Sequence, residues 1–247
     1  MTGRPVPAVL PPALRAWLGL IAVLAALVVV VLGVRYADAG EPGRVDARIS
    51  AALDEVGPPW RYVALVTDFL GEPVGAATLV VVALTGCLLL RRPRAAVLVV
   101  AGAGLAVGAA TLLKHLVGRT IHGADNLSYP SGHTAFLTAL ALMVTLLVTG
   151  RFGLGRTAGL LLVLAAALVA GAAMGWAQVA LGAHYPTDVL GGWCTALAGV
   201  PATAWLVDRL ADRLADGPVH GPVDGPVDGP VDAPVDRTAD TGRGELR

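Results

Sequence analysis

AAVLVVAGAGLAVGAATLLKHLVGRTIHGADNLSYPSGHTAFLTALALMVTLLVTG, residues 95–150, sets one polar loop between two long apolar runs. A hydrocarbon core about 30 Å thick takes roughly 20 apolar residues as helix. The two runs, 95–113 and 134–150, have that character, and four more lie at 16–34, 73–90, 157–176 and 186–207. The whole chain agrees with them. Of its 247 residues 55% are hydrophobic and 15% charged, with a mean hydropathy of +0.70. Soluble domains run nearer about a quarter charged. A soluble core of this size could not hide so much apolar surface, whereas lipid can. The expected fold is therefore all-α, a polytopic membrane bundle of six transmembrane helices. A net charge of zero gives no reason to expect nucleic acid as a partner.

The run from Ala16 to Val34 is longer than the apolar stretch of a secretory signal, and no small-residue cleavage site follows it. It reads as a retained anchor behind a cytoplasmic N-terminus, residues 1–15. Lys and Arg counts then orient the spans. One set of loop ends carries nine, including the cluster Arg91, Arg92 and Arg94; the other carries six. The first set is assigned to the cytoplasm, which puts both termini inside and the loops 35–72, 114–133 and 177–185 outside. With no disulfide pairing expected of Cys87 and Cys194, and arginine used 17 times against one lysine, the expected location is a bacterial inner (plasma) membrane.

In the first outer loop Val45, Ile49, Leu53 and Val56 recur at helical spacing. They predict a short amphipathic helix on the membrane surface, with a second short helix through RYVALVTDFL before Gly71. Residues 16–215 form the membrane domain. Beyond it, GPVHGPVDGPVDGPVDAPVD opens a tail, 216–247, rich in Pro, Gly and Asp, and disorder is expected there. Nothing in the sequence reports on oligomeric state.

Ionisable groups at the ends of membrane spans are costly and commonly functional. They gather in 114–136 and in 175–192, both at outer ends of spans. In Tyr129-Pro130-Ser131-Gly132-His133 a tight turn precedes an apolar run, so backbone N–H groups at a helix start can hold an anion. Ser131 would add a hydroxyl, and His133 would stand beside the anion as a general acid. The plainer alternative is a helix-capping Ser with a solvated His. In His184-Tyr-Pro-Thr-Asp188, Pro186 favours a first helical turn. Asp188 would orient the His184 ring and leave its other nitrogen free to attack phosphorus. The alternative is an interfacial His and a helix-start Asp. His115, His122, Asp125 and Asn126 read as loop residues, and Trp176, Trp193 and Trp205 as interface anchors or packing.

Together these stretches resemble the type 2 phosphatidic acid phosphatase family, membrane lipid phosphate phosphatases with three motifs: K-x6-R-P, P-S-G-H and S-R-x5-H-x3-D. The second motif is complete at residues 130–133, the third keeps His184 and Asp188, and the first keeps Lys114, the only lysine. The resemblance covers about 45–207. It implies His184 as a nucleophile forming a phosphohistidine, Asp188 as its orienting carboxylate and His133 as the acid for the leaving alkoxide. It implies Lys114, Ser131 and Gly132 as phosphate holders, and neither metal nor cofactor. The partners it implies are a phosphorylated lipid and the bilayer.

Two departures stand out. Ile121 and Gln178 occupy the positions of two family arginines. Arg119, two residues early, is expected to replace the first, and Gln178 to offer phosphate a neutral hydrogen bond. Loss of one charge-assisted contact removes about 1.5–3 kcal/mol, or roughly tenfold to a hundredfold in rate if it falls on the transition state. Two other readings therefore stay open: a degenerate member that binds or moves phosphorylated lipid, and a lipid phosphotransferase. The sequence does not choose among phosphatidic acid, phosphatidylglycerol phosphate and polyprenyl phosphates.

Overall fold

The computed structural model describes residues 7–53 and 57–215. The expected tail at 216–247 and the end of the amphipathic segment at 54–56 lie outside the described residues. Eight α-helices follow one another: α1 Arg15–Arg35, α2 Arg44–Leu53, α3 Pro58–Phe69, α4 Pro73–Leu89, α5 Pro93–Val117, α6 Gly132–Phe152, α7 Arg156–Ala180 and α8 Pro186–Ala215. There is no strand among the described residues, only one isolated bridge between Thr120 and Leu127 in the α5–α6 loop.

Five helices, α1, α5, α6, α7 and α8, are each long and apolar enough to cross a bilayer. The sixth span needs α3 and α4 together. They pass the same test as a pair, bent by 59° where Leu70, Gly71 and Glu72 interrupt the helix. The six expected spans thus all appear as helices, and the short helix expected before Gly71 is α3. The outward-facing surface fits lipid. Val23, Val30, Leu116, Leu161 and Val169 are 60–70% exposed, an arrangement unfavourable in water and ordinary in a membrane.

The inner core is built from α5, α6, α7 and α8, whose small residues let the helices approach closely. Ala135, Ala139, Ala167, Ala196 and Ala204 are fully buried, with Leu98, Leu142, Met143 and Val200 filling between them. At Gly192 a Cβ would collide with the carbonyl oxygen of Ser131, so glycine lets α8 press against the start of α6. Pro201 lies inside α8 and faces the core; membrane helices accept such a break when neighbours satisfy the freed groups.

Each end of the bundle is tied by a buried carboxylate. At one end Asp208 of α8 accepts the Val9 and Leu10 backbone N–H groups at 2.8 and 2.9 Å. Arg94, at the start of α5, lies 3.6 Å from Asp208 and 2.8 Å from Asp212. At the opposite end α2 packs on α7 and α8. Its apolar stripe faces outward, with Val45 and Ile49 exposed, while Asp46 points inward and is fully buried.

Candidate active site

The α5–α6 loop and the α7–α8 turn meet at this second end. The Ser131 N–H donates to the Asp188 carbonyl at 2.9 Å, joining the two motif regions directly. Ser131 is the N-cap of α6; its Oγ accepts from the Thr134 N–H at 3.4 Å and lies 3.1 Å from Thr134 Oγ1. That is the capping role weighed for it above. Gly132 and His133 open the helix, so their N–H groups stand at its positive end.

On the other side Tyr185 precedes α8, Pro186 is its first residue, and the Asp188 carboxylate reaches back to accept the Tyr185 N–H at 3.1 Å. This is the reciprocal logic of a capping box. The same oxygen lies 3.7 Å from His184 Nδ1, just beyond a hydrogen bond, and that nitrogen is buried with no other partner among the described residues. A small ring rotation closes the contact, which would turn Nε2 away from the carboxylate. Burial is the main influence on His184 and pushes its protonation to lower pH, opposed by the hydrogen-bonding pull of Asp188. Lys114 and His133 are both near enough to disfavour a further positive charge on it. The Ser131–Asp188 bond brings the turn that carries His184 to the start of α6, which carries His133, and Lys114 lies half-buried at the end of α5.

Arg119 is enclosed by protein groups, with its Nε left unpartnered among the described residues. Its guanidinium is fully buried, donating to Asp188 Oδ1 and Thr187 Oγ1 at 2.6 Å each and to Asp46 Oδ2 at 2.7 Å. The rings of Tyr36 and Tyr185 flank it at 4.0 and 4.5 Å. Asp46 also accepts from the Thr187 N–H and hydroxyl, at 2.9 and 3.0 Å. The guanidinium thus fastens α2 to the start of α8 and fixes the carboxylate beside His184. Ile121, at the expected arginine position, is buried in the loop.

Gln178 is nearly fully buried and donates its amide to Asp68 of α3. Asp68 and Glu72 straddle the α3–α4 bend and face His133, whose Nε2 lies 3.6 and 3.8 Å from their carboxylates. Gly71 makes this approach feasible, because a Cβ there would run into the His133 ring. These three side chains offer ligand atoms within 4.8 Å of one another, the spacing a small cation could use, although Asp68 already accepts from Gln178.

The other candidates lie around this centre. His122 Nε2 is 2.8 Å from the Gly182 carbonyl, and His115 is exposed. Trp176 meets Trp60 edge-on at 6.2 Å, the Trp193 N–H donates to the Ala167 carbonyl, and Trp205 is half-exposed under Arg209. Sequence reasoning missed Asp46, Asp68, Glu72 and Thr187. A usable signal existed for two of them: Asp68 and Glu72, four apart, bracket a glycine at a span edge.

These observations define an all-helical, multi-pass membrane protein whose chemistry-bearing loops converge at one end. More narrowly, residues 98–212 match the family model described as the PAP2 superfamily, as the motif resemblance implied. The match spans Lys114, both histidines and Asp188. Among solved structures the chain resembles "Crystal structure of the first transmembrane PAP2 type phosphatidylglycerolphosphate phosphatase from Bacillus subtilis", with 22% identity and a TM-score of 0.60 over 78% of this chain and 96% of that one. No curated protein matches the chain.

Removing one carboxylate from the Arg119 cluster should be costly, because it strips a buried charge of part of its compensation. Asp46→Ala should lower stability by about 3–5 kcal/mol, read as a clear drop in Tm in detergent; an unchanged Tm would contradict the clamp. NMR titration should find the His184 ring neutral at pH 6.5, the ordinary histidine value, and protonating only below it. Asp188→Asn should move that titration lower still, because the carboxylate favours the imidazolium.

Proposed function

We propose that the protein is a membrane lipid phosphate phosphatase working through a phosphohistidine at His184. The observation that carries this reading is the Ser131–Asp188 backbone bond, which ties the start of α6, with His133, to the α7–α8 turn, with His184. A neutral, buried imidazole oriented by a carboxylate is a nucleophile, and a second imidazole beside it is a proton donor.

In the first step His184 Nε2 attacks phosphorus as the bond to the lipid oxygen breaks, and His133 gives that oxygen its proton. In the second, His133 takes a proton from water, the resulting hydroxide attacks phosphorus, and the N–P bond breaks. Inorganic phosphate leaves and both rings return to their starting states. Lys114 and the N–H groups of Gly132 and His133 hold the phosphate oxygens, where positioned donors are worth most. Arg119 contributes by holding Asp188 rather than by touching phosphate, and Gln178 by holding Asp68.

The phosphate lies at the bundle end opposite Arg94, so a cytoplasmic arginine cluster puts the site on the outer face and both termini inside, as in a bacterial inner membrane. An apolar groove of about 260 Å³ lies between α7 and α8, lined by Leu168, Gly171, Pro186, Val189, Leu190 and Trp193. It begins two residues after His184 and suits an acyl or prenyl chain reaching the site sideways from the bilayer.

Purified protein in detergent with excess EDTA should release phosphate from at least one of phosphatidic acid, phosphatidylglycerol phosphate and a polyprenyl phosphate, and His184→Ala should abolish this. Equal release by the variant would rule the mechanism out. Lipid binding without any release would favour the degenerate, binding-only reading.

A further inference from the structure

Asp68 and Glu72 occupy a place with no role in the steps above. The α3–α4 bend holds them together: the Gly71 N–H donates to the Asp68 carbonyl at 2.8 Å, and the Glu72 N–H to the same oxygen at 3.3 Å. Asp68 is further fixed by the Gln178 amide. Both carboxylates converge on Nε2 of His133, a buried nitrogen with no hydrogen-bond partner. Glu72 is the N-cap of α4 yet makes no side-chain capping bond. Helix capping therefore does not account for it.

The face of His133 matters because the leaving oxygen must come to this ring to collect its proton. Whatever is bonded to that oxygen then lies against Asp68 and Glu72. Once His133 has given up its proton, neither carboxylate has an arginine or lysine within 4.0 Å among the described residues. The neighbouring position that carries a cation in the family's third motif is Gln178, which is neutral and already bonded to Asp68. A leaving group with negative charge on its first atoms would meet two carboxylates in a partly shielded site, where like charges repel far more strongly than in water.

From this we infer that Asp68 and Glu72 make the site selective for phosphomonoesters whose leaving group is an uncharged alcohol, and discriminate against diphosphates. The inference rests on the phosphatase reading and deepens it. In a monoester the departing group is a neutral lipid alcohol, whose hydroxyl these carboxylates tolerate. In a diphosphate, attack on the terminal phosphorus expels a lipid monophosphate, with its charge bonded directly to the departing oxygen. A leaving group whose charge sits further off, as in phosphatidylglycerol phosphate, falls between the two because the repulsion declines with distance and is screened.

The direct test compares a polyprenyl monophosphate with the diphosphate of the same chain length, each in detergent micelles with EDTA, by initial rates of phosphate release. The wild-type chain should prefer the monophosphate. Glu72→Gln and Asp68→Asn keep size and hydrogen-bonding capacity while removing charge. Each should shift the diphosphate-to-monophosphate ratio of kcat/KM toward the diphosphate by about tenfold, and added salt should narrow the difference. The ratio is read within each variant, so an overall loss of rate does not hide it. Either a wild-type preference for the diphosphate, or variants that still release phosphate at an unchanged ratio, would overturn the selectivity. Absence of phosphate release from every lipid by the wild-type chain would instead overturn the phosphatase reading, and the selectivity with it.

Discussion

A guanidinium sealed from solvent between two carboxylates is the interaction on which the rest of this structure depends. Moving an arginine and two acids out of water costs several kcal/mol per ion, and the loss is offset only where the geometry satisfies nearly every donor. Arg119 meets most of that condition: its terminal nitrogens donate to Asp46, Asp188 and Thr187, with Tyr36 and Tyr185 against its faces, and Nε is left without a partner among the described residues. The cluster draws on four separate regions: the end of α1, α2, the α5–α6 loop and the start of α8. None of them can shift alone without stranding a buried charge, so the loops stay in register and the Asp188 carboxylate stays beside His184.

That rigidity is asymmetric. The Asp188 side of the site is fixed by the buried ion cluster and by the Ser131 backbone bond. The His133 side rests on a bend between two helices, on a glycine contact and on half-exposed acids. On the proposed mechanism this division holds the nucleophile firmly and lets the proton donor and the leaving group meet across a joint.

The spans were legible because about twenty apolar residues in a row have few alternatives to a membrane helix, and the helices begin and end close to the expected limits. The second span, α4, shows the limit of that logic. Its run from Pro73 to Leu89 is short alone, and its partner α3 looks like a surface helix, because hydropathy does not register a bend. The motif residues were legible by type and spacing, but their partners were not. The stripe of Val45 and Ile49 located the apolar face of α2 correctly, yet the residue that matters is Asp46 on the other side, and no periodicity says which acid will find a buried arginine. Arg119 itself was assigned to phosphate by its nearness to a motif position. In the structure its two terminal nitrogens go to Asp188, Thr187 and Asp46, while Nε is left buried without a partner among the described residues.

The central claim is that two loops distant in sequence bring an imidazole to a phosphorus atom. The measurement that meets it most directly is to mix enzyme with lipid phosphate, quench in alkali, which preserves phosphohistidine, and locate the phosphoryl group by mass spectrometry. The account predicts a transient modification of His184, strengthened in a His133→Ala variant given a substrate whose leaving group needs no proton. Modification at a different residue, or turnover with no phosphorylated residue at any time, would contradict it.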